Sequence, residues 1–570
     1  MTTDQSAADA TRSPTARVTA AYRRIAEADR PEIWITLRAQ SDVLAEAGAV
    51  EERLAAGEIL PLAGLVVAVK DNIDVAGLPT TAACPEFAYV STTTAAAVDR
   101  LRTAGAVVLG KTNLDQFGTG LVGTRSPYGA VRNSRYPHLV AGGSSSGSAV
   151  AVALGIADIG IGTDTAGSVR VPAALNGIVG IKPTLGIIPT HGVVPACASF
   201  DAVSVLAADL TLATAAAAVM AGPDSRDPRS RTWPADVRLA APDAPRLAIP
   251  AAANLTALSD IYRDAFEQTV SLATDAGLSV EPVNISVLLD AGLLLYDGAI
   301  VAERYTAVGE FLDSAPAGAD PTVAAIITAA REISGPAFAA DLDALAHARA
   351  DAADLLEGFD ALLLPTTTEH PTLAEVQADP FSINRRLGTY TNFCNLLDMA
   401  AVAVPGVPTA TGTPFGVMLV VAAFNDQIAA DIAARLIGAT STPLTGNGVD
   451  LAVFGAHLRG QSLHWQLERF GARYVDQINT SDAYCLMALD TTPPTPGLIR
   501  TKPGQGAPVQ GELFRISEAG LGRFLAALPT PMALTSIELE NGCTVIGLTA
   551  VHDATTTVTD ITTTEVGRNG

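Results

Sequence analysis

The sequence predicts an α/β fold, a mixed sheet covered by helices, followed by a smaller α+β domain. Three observations carry this expectation. Short β-branched runs alternate with helical periodicity through the first 440 residues, the pattern of a sheet with helices packed on it. Apolar residues make up 48% of the 570 and charged residues 17%, so a large buried core is available and a disordered chain is excluded. A break rich in Pro, Gly and Thr, Ser441-Thr-Pro-Leu-Thr-Gly-Asn-Gly448, reads as a linker. The expected division is residues 1–440, a linker at 441–450 and a second domain at 451–570.

Each element follows from its own stretch. Ala16–Ala49 spaces Val18, Ala21, Ile25, Ile33 and Leu44 among charges as helices do. Leu65-Val-Val-Ala-Val69 is a continuous apolar run that ends in Lys70-Asp71-Asn72, a buried strand running into a turn. Ala95–Ala104 is helical, Ala106–Leu109 is a strand, and Gly110-Lys111-Thr112-Asn113 turns. A Gly- and Ser-rich stretch, Ala141–Gly192, is interrupted by apolar segments. Helical patterns occupy Leu258–Gly277 and Val323–Phe359, and Leu362–Pro365 and Gly416–Val421 return to strand. Past the linker, Leu451–Phe454, Tyr484–Ala488 and Glu512–Ile516 indicate a β-containing domain. The tail from Thr555 is Thr-rich and is expected to fray.

Charge and cysteine content exclude several function classes. With 59 acidic against 36 basic side chains the formal charge is −23, which argues against nucleic acid and an anionic membrane surface. Only four of the 36 basic residues are lysine: Lys70, Lys111, Lys182 and Lys502. Cys84, Cys197, Cys394, Cys485 and Cys543 are far apart and lack CxxC spacing. They read as free thiols in a reducing compartment, neither a disulfide framework nor a zinc site. No apolar run approaches the roughly 18 residues of a membrane helix. Met1–Pro14 shows no signal pattern, so the expected location is the cytoplasm.

The densest chemical signal is Gly142-Gly-Ser-Ser-Ser-Gly-Ser148 followed by Gly162-Thr-Asp-Thr-Ala-Gly-Ser-Val-Arg170. A phosphate loop is disfavoured, because no Gly-Lys-[Ser/Thr] follows. A nucleophile elbow centred on Ser145 needs a strand directly before it, and Asn133–Ala141 reads as loop. A serine activated by lysine is the third reading.

Lys70 in Val-Ala-Val-Lys-Asp-Asn-Ile, Ser144 in the first glycine-serine motif and Ser168 in the second strongly resemble the amidase signature family. The 24-residue spacing of the serines fits, as does Gly177-Ile-Val-Gly-Ile-Lys-Pro-Thr184. This resemblance implies that Ser168 is the acylated nucleophile, Ser144 relays its proton, Lys70 is the base and the Gly143–Ser144 peptide is cis. The chemistry is coherent: lysine is a base only when neutral, and burial disfavours its ammonium form. Asp71 falls on the opposite face of the strand. The backbone N–H groups of Thr165, Ala166, Gly167 and Ser168 form the expected oxyanion nest. Asp164 and Arg170 are expected to hold the loop, and Lys111 and Lys182 to be structural.

Tyr296 and Arg304 lie eight residues apart, about two turns along one helix face. On so acidic a chain an anionic substrate needs a placed cation, and a guanidinium grips a carboxylate. A surface salt bridge of Arg304 with Glu303 or Asp297 is the competing expectation. The whole segment resembles the allophanate hydrolases, as do Asn113–Gly129 and Gly388–Asp398. That resemblance implies that Tyr296 and Arg304 contact the substrate's carboxylate end. It also implies hydrolysis of allophanate, the carboxylated form of urea, to ammonia and carbon dioxide by a homodimer without metal or organic cofactor. The second domain, opening with Val-Phe-Gly-Ala-His-Leu458, resembles γ-glutamylcyclotransferases through that family, and His457 is its candidate for proton transfer in decarboxylation. The rival readings are another small-amide amidase, an amidotransferase subunit, or an inactive binding protein.

Overall fold

The computed structural model describes residues 13–489, 495–502, 504–551 and 559–560. Most of the Thr-rich tail and the first 12 residues therefore lie outside the described residues. The chain divides into two compact units: Met1–Thr232 with Ala244–Leu444, and Trp233–Asp243 with Thr445–Gly570.

The first unit is built on an 11-stranded mixed sheet. Its strands are β1 (Trp34–Leu37), β2 (Val66–Lys70), β3 (Val107–Thr112), β4 (Ile159–Asp164), β5 (Val179–Lys182), β6 (Ala202–Ala207), β7 (Arg246–Pro250), β8 (Ser279–Val283), β9 (Ala361–Pro365), β10 (Ala400–Pro405) and β11 (Gly416–Val421). They lie in the order β1-β3-β2-β4-β6-β5-β10-β11-β9-β7-β8. Strand β2 runs parallel to both β3 and β4, so the C-terminal ends of three strands open on one edge. Both faces of these strands are covered, which is why they read as unbroken apolar runs rather than alternating ones. Val66, Ala68, Val107 and Leu109 pack with Val18, Ala47 and Val150 of the covering helices.

Two helical expectations are divided in the structure. Ala16–Ala49 becomes helices Pro14–Ala28 and Gln40–Ala55, with β1 between them. Pro31 starts a short 3-10 turn there, and proline has no N–H to continue an α-helix. Val323–Phe359 becomes Pro321–Ala329 and Gly335–Leu355, broken where Ser334 caps the second helix by accepting from Ala337 N.

The second unit holds a five-stranded sheet that includes Val449–Val453, Arg473–Asn479 and Gln510–Ile516. Trp233–Asp243 belongs with it, although it precedes the linker by 200 residues. Leu239 N and Ala240 N donate to Gly471 O at 2.8 and 3.1 Å, and Ala519 N donates to Ala235 O at 3.0 Å. Arg473 donates to Leu239 O at 2.7 Å, and Arg523 pairs with Asp236 at 2.9 Å. These partners are far apart in sequence and mostly backbone, so no local pattern announces them.

Candidate active site

Lys70 ends β2 and continues the face of Val66 and Ala68. Its side chain is fully buried. Nζ donates to Ser144 Oγ at 2.7 Å and to Thr163 Oγ1 at 2.8 Å, and it lies 3.2 Å from Thr163 O. Asn72 Nδ2 reaches the same threonine hydroxyl at 3.2 Å. Among the described residues no carboxylate touches the amine. Burial pushes the Lys70 amine down to about 7, against the pull of Asp115, Asp164 and Asp201, while Arg304 adds to the depression. Asp71 turns away, as alternation requires, and pairs with Lys111 at 3.1 Å.

Ser144 is held by the turn before helix Ser146–Ala153. The Gly143–Ser144 peptide is cis. Glycine is required at 143, since a Cβ there would overlap the Asp115 carboxylate. The preceding residues form loop, with one bridge between Arg132 and Val140, so the strand that a nucleophile elbow needs is missing. Ser168 sits in the turn between β4 and helix Arg170–Asn176, 2% exposed. Its carbonyl accepts from Ser145 N at 3.0 Å, which ties the two serine motifs together.

The oxyanion nest needs one correction. Gly167 N donates to Asp164 Oδ1 at 3.0 Å, so it is spoken for. The Asp164 carboxylate also takes Val169 N at 3.0 Å and Arg170 Nη2 at 2.8 Å. A buried carboxylate must be surrounded by donors, and the nearest glycine amide is drawn in. Among the described residues, the N–H groups of Thr165, Ala166 and Ser168 have no backbone partner and remain available. Gly167 has φ +124° and a Cβ there would strike Thr391, whose hydroxyl holds Ala166 O at 2.6 Å. Asp164 and Arg170 are a fully buried pair that shapes the loop.

Tyr296 and Arg304 do not share one helix. Tyr296 stands in the turn after Ser286–Leu293, and Arg304 in helix Ala302–Asp313, with a 3-10 turn at Ala299–Val301 between them. Their side chains still meet. Arg304 Nη2 donates to Tyr296 OH at 3.0 Å, and the guanidinium carbon lies 5.0 Å from the ring centre. Nη1 donates to Thr119 Oγ1 at 2.9 Å, while Nε has no partner. Arg304 is 1% exposed. The surface salt bridge is not what forms: Asp297 pairs with Arg385, and Glu303 accepts from Ser199 N at 2.9 Å. Among the described residues no carboxylate touches this guanidinium, and the charges of Asp201 and Glu303 act on it from a distance. A Cβ on Gly118, next to Thr119, would lie 3.9 Å from Ser144 Oγ, so Arg304 and Ser144 flank the same residue. Tyr296 also lines a cavity of about 1010 Å³ shared with Arg125, Asp297, Phe381 and Arg385.

The remaining candidates fall elsewhere. Lys111 donates to Thr80 Oγ1 at 2.9 Å and pairs with Asp71, and Lys182 donates to the carbonyls of Pro183 and Met399. His457 lies in the second unit, buried, with Nε2 3.1 Å from Gln466 Oε1 and its ring edge-on to Phe524 at 5.5 Å. Burial lowers its proton affinity. Thr163, Asn72 and Thr119 escaped the sequence reading. All three lie inside quoted segments, Thr163 in the second glycine-serine motif, Asn72 beside Lys70 and Thr119 within Asn113–Gly129, but none had a stated partner.

A profile of the Amidase family matches residues 16–428. The chain belongs to the amidase family. Residues 449–569 match the allophanate hydrolase C-terminal domain. Urea amidolyase of Saccharomyces cerevisiae is 40% identical over 546 residues, 89% of this amidase and 29% of that protein. This amidase thus spans less than a third of the curated relatives it matches first. The solved Kluyveromyces lactis allophanate hydrolase has a TM-score of 0.87 at 36% identity, covering 98% of this chain and 97% of that one. The K. lactis urea amidolyase aligns at TM-score 0.88 and 37% identity, over 98% of this chain and 36% of its own.

Proposed function

We propose that this amidase hydrolyses allophanate to ammonia and carbon dioxide through a covalent acyl-enzyme on Ser168. One observation carries the substrate assignment: a buried arginine with no carboxylate, Arg304, braced by Tyr296 and flanking the same glycine as Ser144. Ser168 Oγ attacks the terminal amide carbonyl, and its proton passes through Ser144 to neutral Lys70. The N–H groups of Thr165, Ala166 and Ser168 receive the oxyanion. The C–N bond then breaks, and the nitrogen takes the proton back from Lys70 and leaves as ammonia. Water, deprotonated along the same path, attacks the acyl-enzyme and releases a dicarboxylated amine, which loses one carbon dioxide to give carbamate; carbamate, protonated on nitrogen, then breaks down to the second carbon dioxide and the second ammonia. His457 is the candidate for proton transfer in the first of these decarboxylations, and the family's C-terminal domain at 449–569 supports keeping it.

Ammonia release from allophanate, malonamate and propionamide by the wild type and Ser168→Ala tests this reading. Allophanate should be the best substrate and the variant inert on all three. Best turnover of propionamide would remove the carboxylate requirement and the assignment with it. Carbon dioxide yield from His457→Gln tests the second unit: an unchanged yield takes His457 out of the chemistry. A homodimer in the cytoplasm belongs to the same reading, supported by the resemblance to allophanate hydrolases, and sedimentation of the purified chain tests the dimer.

A further inference from the structure

The charges of three buried carboxylates, Asp115, Asp164 and Asp201, and of one guanidinium, Arg304, act on the Lys70 amine. Two of the carboxylates are accounted for. Asp164 is neutralised by Arg170. Asp115 takes Gly123 N and Arg125 N, each at 2.9 Å, beside the Arg125 charge. Asp201 differs. No basic side chain touches it among the described residues, and the cation that acts on it is Arg304.

Asp201 is 6% exposed and accepts from three donors: the Thr165 hydroxyl, Ala196 N at 2.8 Å and Cys197 N at 3.1 Å. Burial pushes the Asp201 carboxyl above the usual carboxylate range, while these three donors, which reach both oxygens, and the Arg304 charge favour the ionised form. Thr165 is the first residue after β4, and its N–H is one of the donors left for the oxyanion. Among the described residues the buried threonine hydroxyl has no other hydrogen-bond partner, so Asp201 anchors the polar end of that side chain. A single carboxylate thus touches the oxyanion loop and shares its field with both the base and the carboxylate-binding arginine.

We propose that Asp201 is a positioning residue of this reaction, whose carboxylate holds Thr165 in place for the oxyanion and balances the Arg304 charge seen by Lys70. The proposal rests on the reading of Ser168 as nucleophile and Lys70 as base. Its physical content is a division of labour. The hydrogen bond sets the direction of the Thr165 N–H, and the charge sets how readily Lys70 takes a proton beside a guanidinium. An asparagine would keep much of the hydrogen-bonding shape and lose the charge. Asp201 also borders two cavities of about 250 and 480 Å³ shared with Thr190 and Arg229, so an altered side chain there has room to relax.

The test is the pH dependence of kcat and kcat/KM for ammonia release from allophanate, using the full chain. In Asp201→Asn the acid limb should move down by about one pH unit, because a negative charge acting on Lys70 is gone. Plateau kcat should fall roughly 10- to 100-fold as an oxyanion donor loosens. Thr165→Val keeps the charge and loses the bond, so kcat should fall while the limb stays put. An unmoved limb in folded D201N overturns the electrostatic half, and a wild-type kcat in T165V overturns the positioning half. Melting curves for both variants separate misfolding from either effect. Should D201N not fold, Asp201→Glu keeps the charge and displaces the bond; a lowered kcat with the wild-type limb supports the proposal, and wild-type kcat overturns it. A wild-type profile without an acid limb, or turnover by Ser168→Ala, would instead sink the underlying mechanism.

Discussion

Neighbouring strands carry a fully buried lysine near their ends, Lys70 as the last residue of β2 and Lys111 one residue before the end of β3, and the two could hardly be more different in use. Lys70 faces two hydroxyls and a carbonyl; Lys111 faces a carboxylate, a hydroxyl and a carbonyl. Burial depresses the proton affinity of both, so burial alone does not make a base. The contacts do: a carboxylate in contact makes the ammonium the useful form, whereas hydroxyls accept from either form and leave the amine able to trade a proton. A small irregularity arranges this. The β2–β3 register shifts between Val67 and Ala68, so Leu109 is the extra residue and Lys111 falls beside Val69 and Asp71 rather than on the Lys70 face.

The sharpest way to break the comparison is to exchange each lysine for methionine. Lys70→Met should lose about 10³-fold or more in kcat for ammonia release, as removal of one member of a catalytic unit does. Its melting point should hold or rise, because a buried amine with depressed proton affinity costs stability near neutral pH. Wild-type turnover in this variant would return Lys70 to the structural class. Lys111→Met should show the reverse: about 3–5 kcal/mol less stable in a denaturant titration, since the Asp71 carboxylate is left buried and unpaired, with turnover retained by the folded fraction. Equal stability would mean the Lys111–Asp71 pair contributes little.

Arg304→Gln comes next in size. KM for allophanate should rise about 10- to 100-fold, the value of a charge-assisted contact, with little change for propionamide. Because Arg304 lowers the proton affinity of Lys70, the acid limb of the remaining activity should also move up. Equal losses on charged and neutral amides would make Arg304 structural. The smallest effect is the wild-type profile itself. Lys70 at about 7 is protonated below that pH and free above it, so kcat/KM should fall roughly tenfold per unit as pH drops below 7. A flat profile down to pH 5 would mean that another group takes the proton.

How much of this was legible depends on how local each feature is. Lys70, Ser144 and Ser168 each sit in a contiguous motif, and the resemblance of those motifs to the amidase signature family is what implies a serine nucleophile with a lysine base. Asp164 and Arg170 were legible for the same reason, being six residues apart on one turn. Thr163 was in plain sight directly before Asp164 and lacked only a stated partner. Asp201 carried no signal, because its partner Thr165 is 36 residues away across an antiparallel strand pair. The Gly167 amide was assigned by position in the loop, and only the packed loop shows Asp164 claiming it.

The sequence by itself determined the most apolar strands, those at Val66–Lys70, Val107–Thr112, Ala361–Pro365 and Gly416–Val421, the two glycine-serine turns and the supply of one lysine at the end of an apolar run. Those follow from local preferences: β-branched residues, and glycines where no side chain fits. The tertiary structure alone decided which lysine meets hydroxyls, which amides remain for an oxyanion, that Tyr296 and Arg304 meet across a turn, and that residues 233–243 join the second unit. Each of these is a long-range pairing set by strand order and by competition among buried polar groups for a limited number of donors, and sequence spacing does not encode that competition.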